Sequence, residues 1–214
     1  MQCIFFHEFM VILLNLKCKY KILLYFILKY VTINQLIMII DVGDNIVLKQ
    51  IELSDAEEIF QIIDSQRDYL GEWLSFAKSA QLSDTEGFVK SVVNAPKNIF
   101  EYAFTIRKSD EFVGIIRFRH TDRLNKKTEI GYWLSEKHQE QGIVTKSVQK
   151  LCEFAFSNMD INRIQIKCAV NNLASIKIPI RLGFIFEGIE RQGELLYGNV
   201  FTDVVVYSKL KSDN

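Results

Sequence analysis

The sequence predicts a single α+β domain with a mixed, mostly antiparallel central sheet flanked by helices, and three observations predict it. First, apolar and polar residues alternate over two pairs of neighbouring segments, as they do in antiparallel strands with one buried face. Second, two alternating segments are separated by a long stretch with apolar residues at helical spacing, which requires a crossover and therefore a parallel pair of strands. Third, three shorter stretches also have helical spacing, and 214 residues suit one domain of ordinary size.

Residues 1–37 differ in composition from the rest of the chain, since they contain no Gly, Pro, Asp or Arg. Asn15 and several lysines interrupt the apolar runs, so the roughly 20 uninterrupted apolar residues of a membrane span are missing. Glu8 precedes the lysines, which is not the order of a signal peptide. We interpret 1–37 as an atypical hydrophobic extension from a start assigned too early, with Met38 as the initiator of a domain at 38–214. An amphipathic membrane-surface helix is the alternative.

The part of the domain before residue 100 predicts one strand followed by three helices. Ile46 and Leu48 alternate inward in the strand. A serine followed three residues later by glutamate forms a capping box, which marks the start of a helix. In order, the elements are a strand at 45–52, a helix with its box at Ser54 and Glu57, a helix at 68–74, and a helix with its box at Ser83 and Glu86.

The rest of the domain predicts a hairpin and then a strand–helix–strand unit. The hairpin joins 101–107 to 111–120. The next strand, Lys127–Leu134, has Ile130 on one face and Glu129 on the other. The remaining elements are a helix that follows the loop 139–144 and runs to about Ser157, a strand at 163–170, a short helix capped by Asn172, and two strands at 185–191 and 200–210.

The loop at 139–144 has the sequence Gln-Glu-Gln-Gly-Ile-Val and lies between a strand and a helix. The first N–H groups of a helix have no partner inside it, and the helix dipole favours an anion there. Gly142 allows a ligand to approach the backbone closely. The loop therefore predicts a site for phosphate groups.

Four landmarks occur in one order along the chain: a Glu-Ile-Gly-Tyr-Trp-Leu strand at 129–134, Gln139-x-x-Gly142-x-Val144, Asn172-x-x-Ser175, and an Arg-Leu-Gly-Phe ending at 181–184. With each on its expected element type, the chain resembles the GCN5-related N-acetyltransferases, and more closely the branch that acetylates ribosomal-protein N-termini. The resemblance covers roughly 45–211. It implies acetyl-CoA as co-substrate and a primary amine as acceptor, first of all a ribosomal protein N-terminus. A polyamine, an amino sugar or an antibiotic is the alternative acceptor.

The resemblance also implies that the two parallel strands splay apart and hold the amide arm of acetyl-CoA between them like an extra strand. The N–H near Leu134 is expected to stabilise the oxyanion as well. Asn172 is expected to bond the arm, to cap its helix, or both. The full set expected to bind the coenzyme is Trp133, Leu134, Gln139, Gln141, Gly142, Ile143, Val144, Thr145, Lys146 and Asn172.

The family often has glycine at the position of Glu140 and a small residue at the position of Val144. The valine narrows the loop, and a carboxylate beside a pyrophosphate is unfavourable, so we expect Glu140 to point outward. Lys146 either adds a positive charge for the pyrophosphate or is simply solvated.

Two residues are expected to carry the chemistry. Glu129 is the candidate base, acting through a water, although a glutamate in a strand is often only ion-paired. Ser175 matches the residue thought to protonate the leaving thiolate in the ribosomal-protein branch, or it only completes the helix cap. Pro179 occupies the position where many relatives have a tyrosine acid. These departures keep a rival interpretation open, a non-catalytic acyl-CoA-binding or regulatory module.

Composition limits the other functions. A net charge of zero argues against direct binding of nucleic acid. No metal is expected, because the cysteines and histidines have no zinc-binding spacing, and reduced thiols in a cytoplasmic protein are the expected state. Membrane binding is not expected, and the oligomeric state is open. The four cysteines are Cys3, Cys18, Cys152 and Cys168, and the three histidines are His7, His120 and His138.

Overall fold

A computed structural model describes residues 37–96 and 99–213, so the extension at 1–37 lies outside the described residues apart from Ile37. Contacts divide the chain after Met38, and the fold below belongs to the unit Ile39–Asn214. Its described strands are β1 (Ile39–Gly43), β2 (Ile46–Gln50), β3 (Ala103–Lys108), β4 (Glu111–Asp122), β5 (Lys127–Leu134), β6 (Arg163–Ala169), β7 (Ile185–Leu196) and β8 (Val200–Leu210). Its described α-helices are α1 (Ala56–Ser65), α2 (Arg67–Leu70), α3 (Leu82–Val93), α4 (Ile143–Asn158) and α5 (Leu173–Arg181). None of these helices combines the length and the apolar character needed to cross a membrane.

The described strands form one sheet in the order β1-β2-β3-β4-β5-β6-β8-β7. Neighbouring strands are antiparallel except β5 and β6, which α4 connects. The predicted α+β class with a mixed, mostly antiparallel sheet is therefore confirmed. So are the parallel pair and the hairpin of β3 and β4.

The parallel strands β5 and β6 diverge along their length. They pair at three positions near their N-terminal ends, which are Lys127 with Arg163, Thr128 with Ile164, and Glu129 with Gln165. β5 continues to Leu134 and β6 to Ala169 without further pairing. The splay that the family resemblance implied is therefore present, and it leaves a gap in the sheet beyond Glu129.

The core has one layer on each side of the sheet. On one side Ala103 and Ile115 pack with Ile59 of α1 and Val89 of α3. On the other side lie the alternate side chains of the same strands, such as Phe118 of β4, whose ring stacks on Phe154 of α4. The predicted apolar stripe of α4 is buried throughout. Burial of each large side chain contributes about 1.5–3 kcal/mol, so α4 is tightly held and can support the loop in front of it.

The strand predicted at 45–52 is only the second half of a hairpin, and Ile39–Gly43 was missed. The turn uses left-handed backbone at Gly43, Asp44 and Asn45, with φ of 87°, 53° and 58°. β1 lies at the edge of the sheet and is mostly exposed, so it has no clear alternation of apolar and polar residues. A pattern search therefore does not detect it.

Both predicted capping boxes were wrong by two residues. The Glu52 N–H donates to Asp55 Oδ2 at 2.9 Å, and the Gln81 N–H donates to Asp84 Oδ2 at 2.9 Å. Aspartate makes the bond in both cases because each first turn begins earlier than the serine pattern suggested. The helix predicted at 68–74 is also shorter, since α2 ends at Leu70.

Candidate active site

A cleft of about 620 Å³ lies between the C-terminal end of β5, the loop before α4 and the start of α5. We call it the loop cleft and define it by Leu134, Gly142 and Asn172. β5 and β6 are unpaired at this level, so an edge of β5 is free to meet a ligand. Nine of the ten residues predicted to bind the coenzyme line the loop cleft, namely Trp133, Leu134, Gln139, Gln141, Gly142, Ile143, Val144, Thr145 and Asn172.

Gly142 is the N-cap of α4 and has left-handed backbone, with φ of 72°. Its carbonyl accepts a hydrogen bond from the Lys146 N–H at 3.0 Å. A Cβ added at Gly142 would meet no atom within 4 Å. Glycine is thus required by the backbone conformation and not by crowding, and the open space in front of it lets an anion approach the first N–H groups of α4.

Glu140 is exposed at the rim of the loop cleft and also has left-handed backbone, with φ of 59°. Glycine adopts this conformation at no steric cost, which is the physical reason for a glycine at this position. Val144 is only 8% exposed and belongs to the buried face of α4, and it also borders the loop cleft.

The polar side chains of the loop are engaged by other parts of the protein. Gln139 Nε2 donates to the Tyr69 hydroxyl, and Gln141 Oε1 accepts from Lys108 Nζ. Asn172 Oδ1 accepts from the Ser175 N–H at 3.1 Å, so it caps α5. The backbone N–H groups of the loop are therefore its donors for a ligand.

Lys146 is the one predicted coenzyme residue that the structure does not bring to the loop cleft. Its ammonium pairs with Asp44 in the β1–β2 turn, and this hydrogen bond lowers the pKa of the Asp44 carboxyl. Two cations that sequence reasoning missed line the cleft instead, Lys177 and Arg181. Arg181 Nη1 donates to Thr145 Oγ1 at 3.2 Å. Their spacing of four residues on one helix face was the signal that could have identified them.

A second cavity, of about 340 Å³, lies in the gap between β5 and β6, and we call it the central cavity. The structure brings both predicted catalytic residues to it, since Glu129 and Ser175 are among its lining residues. Glu129 is 9% exposed. Its Oε1 lies 3.7 Å from Arg119 Nε, and its Oε2 lies 3.5 Å from His120 Nδ1. Glu129 is thus ion-paired and also borders a cavity.

Tyr132 and Cys168 both line the central cavity, and both are neutral groups. The Tyr132 hydroxyl donates to the Ser175 carbonyl at 3.1 Å and so ties β5 to the start of α5. Burial raises the pKa of the Tyr132 phenol well above its usual value. Burial also raises the pKa of the Cys168 thiol to about 12. A thiol with that pKa is a poor nucleophile at neutral pH.

Glu194 is a cavity residue that sequence reasoning missed. The last strand before the final turn was predicted to end at residue 191, but β7 continues to Leu196. Its pairing with β8 is interrupted between Glu190 and Glu194, where Gln192 has φ of 53° and donates its N–H to Asp203 Oδ1 at 2.8 Å. A bulge of this kind re-aims the side chains that follow it. No local sequence pattern marks it.

The surroundings of Glu194 change its acidity. Glu194 is an exposed residue of β7, but its carboxyl faces the cavities and is partly shielded from water there. This partial desolvation is the first cause of its raised pKa; the positive charge of Arg119 opposes the rise and the negative charge of Glu129 adds to it. Two carboxylates in one site with different surroundings are a common arrangement for acid–base chemistry. Glu194 is therefore a second candidate base beside Glu129.

A third cavity, of about 560 Å³, lies between the sheet and helices α1 and α3, and we call it the side cavity. Phe76, Phe88, Arg117, Trp133 and Glu194 are among its lining residues. Trp133 also lines the loop cleft, Glu194 also lines the central cavity, and Tyr132 lines all three, so the three cavities are neighbours with shared walls.

Arg67 holds one wall of the side cavity in place. Its Nη1 donates to the carbonyls of Ala77 and Lys78 at 3.2 and 3.1 Å, and its Nη2 donates to the Ala80 carbonyl at 2.7 Å. Phe76 lies just before these carbonyls, so one guanidinium positions the segment that carries it. Among the described residues, no group of three or more metal-binding side chains is present.

Comparison with known proteins gives concordant findings. Residues 45–185 match the Acetyltransferase (GNAT) domain family. The ribosomal-protein-serine acetyltransferase of Escherichia coli is 33% identical over 174 residues, covering 80% of this chain and 96% of that protein. A solved ribosomal L7/L12 alpha-N-protein acetyltransferase in complex with coenzyme A is 29% identical, covers 81% of this chain and 98% of its own, and superimposes with a TM-score of 0.76. The microcin C7 self immunity acetyltransferase, solved with acetyl-CoA and AMP, is 31% identical over 80% of this chain and 95% of its own, with a TM-score of 0.75.

Proposed function

This chain belongs to the GNAT acetyltransferase family and is an acetyl-CoA-dependent N-acetyltransferase, and we propose that its acceptor is a protein N-terminus, with a ribosomal protein as the first to test. One observation carries the proposal. The loop cleft and the side cavity each share lining residues with the central cavity in the β5–β6 gap, where Glu129, Ser175 and Glu194 lie. A thioester entering from one side and an amine entering from the other would meet at these residues.

Acetyl-CoA would be held by three features of the chain. The N–H groups of the loop and the first turn of α4 would bind the pyrophosphate. Lys177 and Arg181 would supply positive charge beside it, a role that the sequence had suggested for Lys146. The amide arm would lie along the free edge of β5 beyond Glu129 and accept and donate backbone hydrogen bonds there.

The reaction would proceed by direct attack. Glu194 or Glu129, the latter through a water, removes a proton from the acceptor ammonium. The amine nitrogen then forms a bond to the thioester carbon, and a backbone N–H near Leu134 stabilises the oxyanion. When the carbon–sulfur bond breaks, the hydroxyl of Ser175 protonates the thiolate. Cys168 is a neutral thiol in this cavity, which favours direct transfer over an acyl-cysteine intermediate.

Thiol release from acetyl-CoA tests the acceptor class. A peptide with a free N-terminal serine is compared with the same peptide blocked at its N-terminus, and with a polyamine, an amino sugar and an amine-bearing antibiotic. We expect turnover with the free peptide and none with the blocked one. Turnover with a small amine and not with the free peptide would show that the acceptor is a small molecule and not a protein N-terminus. No turnover with any amine, despite normal binding of acetyl-CoA, would favour a non-catalytic binding module.

Two variants test the predicted catalytic residues. Glu129→Gln and Ser175→Ala are expected to lower kcat while the dissociation constant of acetyl-CoA changes little, because neither side chain is needed to grip the pyrophosphate. The effect of Ser175→Ala should be the smaller, since a hydroxyl is a weak acid. Unchanged kcat in both variants would remove these residues from the mechanism.

We also propose that the protein works in the cytoplasm. Cys152 and Cys168, the described cysteines, are free and buried, which suits a reducing compartment. Cell fractionation with an antibody to the chain tests this, and recovery in a membrane fraction would contradict it.

A further inference from the structure

Arg117 is a cation without an anionic partner inside the side cavity. It lies on β4, and its Cζ is 5.4 Å from the centre of the Phe88 ring. Its Nε is buried and has no hydrogen-bond partner. Within residues 37–96 and 99–213, Arg117 forms no ion pair, and the carboxylates of Glu101 and Glu129 act on it only through longer-range charge interactions. The Phe88 contact holds the side chain in place but leaves its charge unneutralised.

Arg119, two residues further along the same face of β4, is different. Its Nε is paired with Glu129 Oε1 at 3.7 Å. The pKa of Arg117 is lowered, first by burial and then by the positive charge of Arg119, while the more distant carboxylates of Glu101 and Glu129 oppose this only in part. A partly buried guanidinium that is repelled by a neighbour gains free energy when an anion binds it. A planar guanidinium suits a carboxylate, which it can bind through two parallel hydrogen bonds.

The other charged groups of the side cavity do not meet this need. Asp84 Oδ2 already accepts the Gln81 N–H at 2.9 Å. Glu194 lines both the side cavity and the central cavity, but the charges that act on its carboxyl are those of Arg119 and Glu129 and not that of Arg117. The anion for Arg117 is therefore expected to arrive with a ligand.

We propose, on the basis of the function proposed above, that Arg117 binds a carboxylate of the acceptor, so that the enzyme prefers N-termini with an acidic side chain at the second or third residue. The strand register gives the distance. Arg117 pairs with Gly131, and Arg119 pairs with Glu129, so Arg117 lies two residues along the sheet from the level of the candidate base. Two strand residues span roughly 7 Å, which is also the advance of two residues in an extended peptide. An amine placed at Glu129 or Glu194 would thus bring its next side chains to Arg117.

Peptides that differ in one group test the preference. Serine-initiated peptides of equal length carry Asp or Asn at the second or the third position, and kcat/KM is measured by thiol release. We expect the Asp form to exceed the Asn form by at least about tenfold at one of the two positions, as a charge-assisted pair would give. Arg117→Gln should reduce this ratio to about one. Lys90→Gln removes the same charge from an exposed position on α3 and should keep the ratio.

Calorimetry in the presence of coenzyme A measures binding of the same peptides without turnover. Equal affinities and equal rates for Asp and Asn peptides in the unmodified protein would overturn the inference. So would a ratio that survives in Arg117→Gln, once its thermal unfolding and its affinity for coenzyme A show that it is folded. If no peptide is acetylated, the proposed function fails, and the Asp-to-Asn ratio of affinities still decides the role of Arg117.

Discussion

Replacing Gly142 with alanine isolates the contribution of the loop backbone to coenzyme binding. Gly142 has φ of 72°, and the new Cβ would meet no protein atom within 4 Å. The substitution therefore changes two things only. It adds the cost of left-handed backbone, and it puts a methyl group in the space through which an anion reaches the first N–H groups of α4.

The two effects have different sizes. Left-handed backbone costs alanine roughly 1–2 kcal/mol relative to glycine. For a chain of this length this corresponds to a Tm lower by about 2–8 °C. If the methyl group also prevents one hydrogen bond from a backbone N–H to a phosphate oxygen, about 1.5–3 kcal/mol of binding free energy is lost. The dissociation constant of acetyl-CoA should then rise by roughly 10- to 100-fold.

Gly198→Ala is the matched control, because Gly198 has φ of 77°, meets no atom within 4 Å of an added Cβ, and lies in the β7–β8 turn. Both variants should lose a similar amount of stability in thermal unfolding. Isothermal titration with acetyl-CoA should show weakened binding only for Gly142→Ala. Equal affinities in the two variants would refute the inference that the loop backbone grips the diphosphate.

Three further outcomes are expected. Glu194→Gln should lower kcat/KM about 100-fold or more and remove the acidic limb of its pH profile. In the unmodified enzyme that limb should lie at a higher pH than for a free glutamate, because the pKa of Glu194 is raised and the base must be deprotonated. Burial lowers the pKa of His138 in the folded protein. As pH drops below about 6.5, the imidazole is therefore protonated in the unfolded chain before it is protonated in the folded one, and the free energy of unfolding should fall. His138→Gln should lack that part of the loss in urea titrations at pH 7 and pH 5. Phe104→Ala, at a fully buried position, should lower the free energy of unfolding by about 3–5 kcal/mol.

Each of these outcomes has a contrary result. If the acidic limb of the pH profile persists in Glu194→Gln, it arises from the titration of another group, and Glu129 is the next candidate. A pH dependence of stability that is the same with and without His138 would mean that its burial is not felt in folding. A loss below about 1 kcal/mol for Phe104→Ala would show that the core around this position repacks to fill the space.

Local patterns predicted the elements that carry the family resemblance. β5 begins and ends where alternation placed it, and the stripe of α4 is buried as its spacing required. Gly142 and the cap at Asn172 follow from the preferences of single residues. These features depend on interactions between residues a few positions apart, so the sequence states them directly.

Long-range contacts decided the rest of the site. Lys146 pairs with Asp44, a residue 102 positions away, and does not line the loop cleft. Glu194 reaches the central cavity through a bulge that exists because β7 pairs with β8. Arg117 and Arg119 look equivalent in sequence, and only the register of β4 on β5 gives Arg119 a carboxylate and leaves Arg117 without one.

The sequence by itself therefore determined the fold class through its periodicity, and four short motifs carried the family resemblance that implies the coenzyme, because periodicity and short motifs are local properties of the chain. The tertiary structure decided which charges are neutralised and which face the cavities. Electrostatic partners are chosen by distance in space, and distance in space is set by strand order and register, which no short segment of the sequence contains.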